Sequence, residues 1–206
     1  NPYLYRLDPS TGTGSILASD PLFDDITNLG LGLNGIALTT DESALIVGKF
    51  VPPSLLRVSL PDADSIEPIV LTGNTLPSPD GLAVLNGDLY TVAGGSVSRI
   101  RPNANFTSGE VVTVAQKSGL STATIAESEL YVIKSEVVNF VLNRPLDTPF
   151  EIFRVDGGAF DWSKSGNYPM LSEPRPEYAG VELHKTFGNF AFAIACRVLG
   201  LRDLGP

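Results

Sequence analysis

The sequence predicts an all-β fold of the β-propeller class, in which four-stranded sheets, the blades, surround a central channel. Three observations predict it. Short apolar segments alternate with turns, and 20 glycines and 16 prolines are spread along the 206 residues. One strand pattern recurs at intervals of 40 to 55 residues, which is the length of a blade. No segment before residue 157 has a sustained helical period.

Each repeat begins with a hairpin whose first strand is small and apolar. The hairpins read LNGIAL and ALIVG at 33–38 and 44–48, then PDGLAV and DLYTVA at 79–84 and 88–93, then a degenerate STATIA and ELYVI at 121–126 and 129–133. The Asn-Gly turn of the second copy is the strongest short-range hairpin signal. A β-sandwich also has short, evenly spaced strands, but it does not require the same string at the start of successive units. The strings therefore favour the innermost strands of propeller blades.

A third strand of the pattern apolar-x-Arg-apolar follows each hairpin and also opens the chain. Its arginines are Arg6, Arg57, Arg99 and Arg154. A fourth strand follows three of them, at 14–17, 66–70 and 110–114. The repeat thus predicts two outer strands in 1–18, complete four-stranded blades in 34–72 and 80–115, and three inner strands in 121–156.

This strand count predicts an incomplete propeller of the six-bladed type over residues 1–156. The last blade lacks an outer strand, and unpaired sheet edges require a partner. We expect either a further segment, such as an N-terminal half, or the tail 157–206 to complete the ring. The tail shows no blade pattern, and its apolar stretch from Phe187 to Leu201 is short for a membrane span and contains Arg197. We expect this stretch to pack as a strand pair or a helix.

Composition excludes several classes of function. A net charge of −9 without a basic stripe argues against nucleic acid and anionic membranes, and it leaves cations and neutral ligands open. The only histidine, His184, and the only cysteine, Cys196, both lie in the tail, so a zinc site is not expected, and Cys196 is predicted to be buried and inert. The triplet Asn-Phe-Thr makes Asn105 a candidate glycosylation site, and the start at Asn1 without Met suits a processed or truncated chain. We therefore predict an extracellular, secreted protein.

A site built from side-chain oxygen atoms remains open, and the repeat predicts that two candidate residues for it lie close together. Asn34 and Asp80 each precede an innermost strand, at equivalent positions 46 residues apart, so they should converge at one mouth of the channel. A carboxylate and an amide carbonyl suit a hard cation such as Ca²⁺. The alternative is that Asn-Gly and Asp-Gly act here only as turn residues. The third copy carries Ser121 at this position.

The strings at 33–38 and 79–84, each followed by its second strand, resemble those of the SMP-30/gluconolactonase/LRE-like propellers, close to the strictosidine-synthase-like group. The resemblance covers about residues 1–156 and matches the C-terminal half of that six-bladed fold. It implies one divalent cation, usually Ca²⁺, on the channel axis, with Asn34 and Asp80 among its ligands. It also implies that Asp80 corresponds to the Asp that is the proposed general base in lactonase members of the family. The family's Glu ligand comes from a first blade that this chain lacks.

Two main hypotheses about function follow. The first is a Ca²⁺-dependent hydrolase of lactones or related esters, with Asp80 accepting a proton from the attacking water. The second is a non-catalytic secreted propeller that binds a small or apolar ligand, as a similarity to Mala s 1-type fungal allergens implies. A scaffold that binds proteins through its loops is a third option.

Overall fold

The fold is described from a computed structural model. The structure describes residues 2–26, 31–93, 95–135, 151–156 and 159–167, and it describes 156 and 159–167 by their backbone alone. These residues form β-strands and one 3₁₀ turn, Pro21–Phe23. Within this part of the chain, no helix has the length and apolar character needed to cross a bilayer. The prediction of an all-β fold is confirmed.

The first complete blade contains four antiparallel strands in chain order. It is preceded by an antiparallel pair of strands, β1 (Tyr3–Leu7) and β2 (Gly14–Ser19). The strands of the first blade are β3 (Leu33–Leu38), β4 (Ala44–Lys49), β5 (Ser54–Ser59) and β6 (Ile66–Pro68).

The next two blades repeat this meander. Between the first and second blades the chain forms a short strand, β7 (Val70–Gly73). The second blade contains β8 (Gly81–Leu85), β9 (Asp88–Ala93), β10 (Ser96–Pro102) and β11 (Ser108–Gln116). The third blade contains β12 (Leu120–Ala126), β13 (Glu129–Lys134), β14 (Glu151–Asp156) and β15 (Ala159–Asn167).

The hydrophobic core lies between the faces of successive sheets. One cluster joins the first blade to the second and includes Ile46, Leu55, Leu82, Leu89 and Ile100. Another joins the second blade to the third and includes Val92, Val97, Leu130, Val132 and Phe153. A third packs the first blade on β1, β2 and the 3₁₀ turn through Leu4, Ala18, Phe23, Val47 and Leu56. Sheets that are apolar on both faces explain why the strand sequences are nearly continuous hydrophobic runs.

Small residues let the innermost strands β3, β8 and β12 approach each other closely. A Cβ added to Gly35 would lie 2.2 Å from the carbonyl oxygen of Asp80, and one added to Gly81 would lie 2.6 Å from Thr122 Cα. Such contacts leave no room for a side chain. The glycine that follows Asn34 and Asp80 in the repeat is therefore required by packing between blades.

The repeated arginine of the third strand has a structural role. Arg99 Nε lies 3.8 Å from Asp88 Oδ2, and Arg154 forms a close ion pair with Glu129 at the equivalent position of the third blade. Each acid is the first residue of its blade's second strand. In the second and third blades, this arginine thus joins the second and third strands.

The second blade carries one buried polar pair that its neighbours lack. Thr91 and Ser98 face each other across β9 and β10, and both are fully buried. Neither hydroxyl has a hydrogen-bond partner within the described residues. By strand register, the first blade has Val47 opposite Leu56 at this position. This pair is a local weakness in an otherwise apolar interface.

The structure corrects the predicted fourth strand of the first blade. The sequence predicts one strand over 66–70, but β6 ends at Pro68, and β7 pairs in parallel with β11 of the second blade. Proline has no N–H with which to continue a ladder. Ile69 donates its N–H to Leu55 O as its side chain enters the core between the two blades. The second blade consequently has five strands instead of the predicted four.

The last blade is also more complete than predicted. The sequence predicts no outer strand for it, but β15 pairs antiparallel with β14 from Glu151↔Asn167 to Asp156↔Ala159. The repeat therefore continues past residue 156, into the segment that was assigned to the tail. The rest of the predicted 157–206 segment, with His184, Cys196 and the apolar stretch from Phe187, lies outside the described residues.

Candidate functional site

An extra residue interrupts each innermost strand at its start. In the first blade Leu33 pairs with Lys49 and Ile36 with Val47, so three steps along β3 match two along β4. In the third blade Leu120 pairs with Lys134 and Thr122 with Ile133, so two steps match one.

The second blade shows the same feature at Asp80. Asp80 donates its N–H to Val92 O, although Gly81 is the residue that pairs with Val92. A β-bulge leaves one residue outside the regular ladder and re-aims its side chain. The irregular pairing thus falls at 34–35 in the first blade, at Asp80 just before β8 in the second and at Ser121 in the third, which are equivalent places in the three repeats.

The structure brings the side chains of Asn34 and Asp80 together. Gly35 packs directly on the backbone of Asp80, which places the residue before it beside the Asp80 side chain. The Asn34 side chain hydrogen-bonds to the Asp80 carboxylate. Both residues are half-buried.

Burial dominates the electrostatics of Asp80. Desolvation raises the pKa of its carboxyl to about 6, although the hydrogen bond from Asn34 acts in the opposite direction. Removal from water disfavours the charged form of an acid. Among the described residues, none of the ion pairs involves Asp80. Asp80 is therefore a desolvated carboxylate with an amide neighbour and no compensating positive charge in this part of the protein.

The two side chains fit part of a site for a hard cation. A carboxylate oxygen and an amide oxygen are ligands that Ca²⁺ prefers, but Ca²⁺ takes about six to eight oxygens. The described residues contain no group of three or more His, Cys, Asp or Glu side chains that could hold a metal. The remaining ligands would have to be hydroxyls, backbone carbonyls, water, a bound ligand or residues outside the described ranges.

The other predicted site residue, Asn105, is exposed in the turn between β10 and β11. The Asn103 side chain organises this turn, because it accepts a hydrogen bond from Thr107 N at 2.9 Å and donates one to Thr107 Oγ1 at 2.8 Å. The acceptor asparagine of the sequon is therefore accessible to an enzyme. It lies on an outer hairpin, away from the innermost strands.

The third repeat has a polar residue, Ser121, at the position equivalent to Asn34 and Asp80. From the sequence, Ser121 is only a departure from Asn and Asp, yet the bulge at Ser121 matches those at Asn34 and Asp80. The register of the hairpin, rather than residue identity, would have been the signal. Thr122, which follows it, has a buried hydroxyl without a hydrogen bond in the described part of the chain.

Solved structures of propeller proteins are similar to this chain. The Malassezia sympodialis allergen Mala s 1 is 19% identical with a TM-score of 0.56, over 75% of this chain and 49% of the allergen. An inactive virginiamycin B lyase of Staphylococcus aureus, bound to quinupristin, is 16% identical with a TM-score of 0.50, over 84% of this chain and 50% of the lyase. A gluconolactonase of Xanthomonas campestris is 20% identical with a TM-score of 0.47, over 63% and 40%. At these identities the likeness to the allergen and the lyase shows the fold alone, and the chain spans about half or less of each of the three structures.

Sequence comparison gives a different kind of match. O-acetyl-L-homoserine sulfhydrylase 1 of Thermus thermophilus is 53% identical over 51 residues, and homocysteine synthase of Schizosaccharomyces pombe is 52% identical over 52 residues. Each match covers 25% of this chain and 12% of the enzyme. The similarity thus concerns only a short stretch of this chain and a small part of each enzyme. No protein-family model matches the sequence.

Proposed function

We propose that the chain forms part of a propeller that holds a divalent cation, Ca²⁺ in the first instance, at the channel mouth and hydrolyses a lactone or related ester there. The observation that carries the proposal is the contact between Asn34 and the half-buried, desolvated carboxylate of Asp80 across two neighbouring blades. A buried carboxylate is costly unless it is paired with a positive charge or binds a metal. A cation held by the Asp80 carboxylate and the amide oxygen of Asn34 would offset that cost.

Asp80 is the candidate general base. In the cation-free protein, desolvation makes its carboxyl more basic than an exposed aspartate, with a pKa of about 6. A bound divalent cation would lower this pKa and keep Asp80 ionised, as a base that accepts a proton must be. Asn34 can orient the carboxylate, since its side-chain amide donates a hydrogen bond to it. A bound divalent cation supplies polarisation of the ester carbonyl and acidification of water.

Ligand binding without turnover is the second candidate. Asn34 and Asp80 supply two side-chain ligands, fewer than a complete Ca²⁺ site requires. A mouth with a weak or absent cation would still be a polar rim above a channel lined by small apolar strands. Small molecules commonly bind in such concave, mostly apolar sites with a few polar groups.

Calorimetric titration of the purified full chain with Ca²⁺, followed by assays on a panel of lactones and aryl esters, tests the proposal. Asp80→Asn keeps the shape and removes the charge, and we expect it to abolish both cation binding and hydrolysis. Asp88→Asn is the matched control, because Asp88 lies at the start of β9 beside Arg99. Cation binding without turnover would favour the second candidate. Hydrolysis that survives Asp80→Asn would refute the hydrolase mechanism, and absence of cation binding would refute the metal site.

We further propose that the protein is secreted and glycosylated at Asn105, because the sequon is presented on an exposed turn. Expression through a eukaryotic secretory pathway should give a glycan mass that a glycosidase removes. Asn105→Gln should eliminate that mass and leave the fold intact. An unmodified Asn105 in secreted material would contradict the assignment.

A further inference from the structure

The third blade has a polar residue, Ser121, at the position equivalent to Asn34 and Asp80. Strand register makes Ala37, Ala83 and Thr124 equivalent, because they pair with Ile46, Tyr90 and Tyr131 respectively. Three residues before each of these lie Asn34, Asp80 and Ser121. Each of the three positions coincides with a bulge at the start of an innermost strand.

Backbone contacts show that the third blade follows the second as the second follows the first. The Cβ position of Gly35 meets Asp80 O at 2.2 Å and Leu82 N at 3.1 Å. The Cβ position of Gly81 meets Thr122 Cα at 2.6 Å and Ala123 N at 2.7 Å. Asn34 reaches Asp80 through the first of these contacts. The second places Thr122 beside Gly81, so the residues before them, Ser121 and Asp80, precede contacting strands in the same way.

The Ser121 hydroxyl is free to bind. Its side chain is half-buried, so it is reachable from solvent, and it makes no hydrogen bond within the described parts of the chain. Asn34, and not Ser121, is the side chain that hydrogen-bonds to Asp80. The adjacent Thr122 hydroxyl is buried without a partner in the same described residues and lies 2.7 Å from the Cβ position of Gly81.

We propose that Ser121 Oγ is a third protein ligand of the cation held by Asn34 and Asp80. This inference rests on the proposed function, since it concerns the same cation. One amide, one carboxylate and one hydroxyl oxygen then come from three successive blades. Hydroxyl oxygens are hard donors and suit Ca²⁺ and its trivalent lanthanide analogues. The role of Ser121 is to replace one water molecule on the ion.

Europium luminescence measures the number of water molecules on the ion directly, because the luminescence lifetimes in H₂O and D₂O together give the number of waters bound to Eu³⁺. In the full chain, Ser121→Ala should add one water to the bound ion and weaken its affinity about tenfold. Thr124→Ala is the control, since Thr124 is exposed on the same strand and should change neither value. Ser121→Asp should raise the affinity, because it adds a charged oxygen at the same place.

The outcomes separate this inference from the proposed function. If Asp80→Asn abolishes Eu³⁺ binding while Ser121→Ala leaves both affinity and water count unchanged, Ser121 is not a ligand and the cation site stands. If Asp80→Asn leaves binding intact, the cation site itself is refuted. Should Ser121→Ala fail to fold, Ser121→Asp decides, and an affinity no higher than that of the unmodified chain would overturn the inference.

Discussion

Replacing Gly35 with alanine should separate the first two blades and disable the candidate site. The new Cβ would lie 2.2 Å from the carbonyl oxygen of Asp80 and 3.0 Å from Leu82 Cγ. Restoring van der Waals contact requires the strands to move apart by about 1 Å. Asp80 O is a backbone atom, so no rotamer change relieves the clash. Overpacking of this kind costs about 1–3 kcal/mol.

The same displacement moves Asn34 away from Asp80, so cation affinity should fall about 10- to 100-fold. Urea denaturation and Ca²⁺ titration of Gly35→Ala measure the two effects. Gly14→Ala is the matched control, because Gly14 also lies in a strand and nothing stands within 4 Å of its Cβ position. That control should be neutral or slightly stabilising. A Gly35→Ala protein with the stability and affinity of the unmodified chain would show that the inner strands are not in contact as described.

Three further predictions concern other features. The raised pKa of Asp80 means that the folded protein favours the protonated form of this side chain. The stability of the cation-free protein should therefore fall as the pH rises from about 4 to about 6. Thermal unfolding in the presence of a chelator should show this pH dependence, and Asp80→Asn should remove it. Thr91→Val should stabilise the protein by about 1 kcal/mol in urea denaturation, because it removes a buried hydroxyl that has no partner in the described chain. Val47→Thr, at the equivalent position of the first blade, should destabilise it. If the two variants changed the stability in the same direction, the reasoning would be refuted. Asn74→Ala should cost about 0.5–1.5 kcal/mol by the same assay, since Asn74 Oδ1 accepts the N–H of Thr113 at 3.0 Å, and no loss would show that this bond is not needed.

Local sequence patterns were sufficient to predict most of the strands. Hairpins at 33–48 and 79–93 are specified by apolar runs and by turn residues such as Asn86-Gly87, and local chemistry of this kind fixes strand pairing. The position of Asn34 and Asp80 was also predictable, because equivalent residues of a repeat converge when the repeats surround one axis. Contact between these two side chains then follows from the glycine after each.

The departures depend on contacts between blades, which a strand pattern does not encode. Pro68 could end a strand or lie on an edge, and only the pairing of the next residues with β11 decides which blade they join. β15 was missed because its sequence, AFDWSKSGN, is polar and contains no apolar run. The bulge at Ser121 was not predicted, because a bulge depends on the register between two strands and not on a single residue type.

Because of the parallel strand β7, the boundaries of the sequence repeat differ from the boundaries of the blade. Residues Val70–Gly73 are encoded with the first repeat but complete the outer edge of the second blade, next to β11. A portable second blade is therefore the piece that begins at residue 70, not at residue 80. A second blade that began at residue 80 would lack β7 and would expose the unpaired edge of β11 to solvent. Exposed strand edges of this kind promote pairing between molecules. Transplanting or duplicating blades in proteins of this kind requires the linker to be moved together with the sheet it closes.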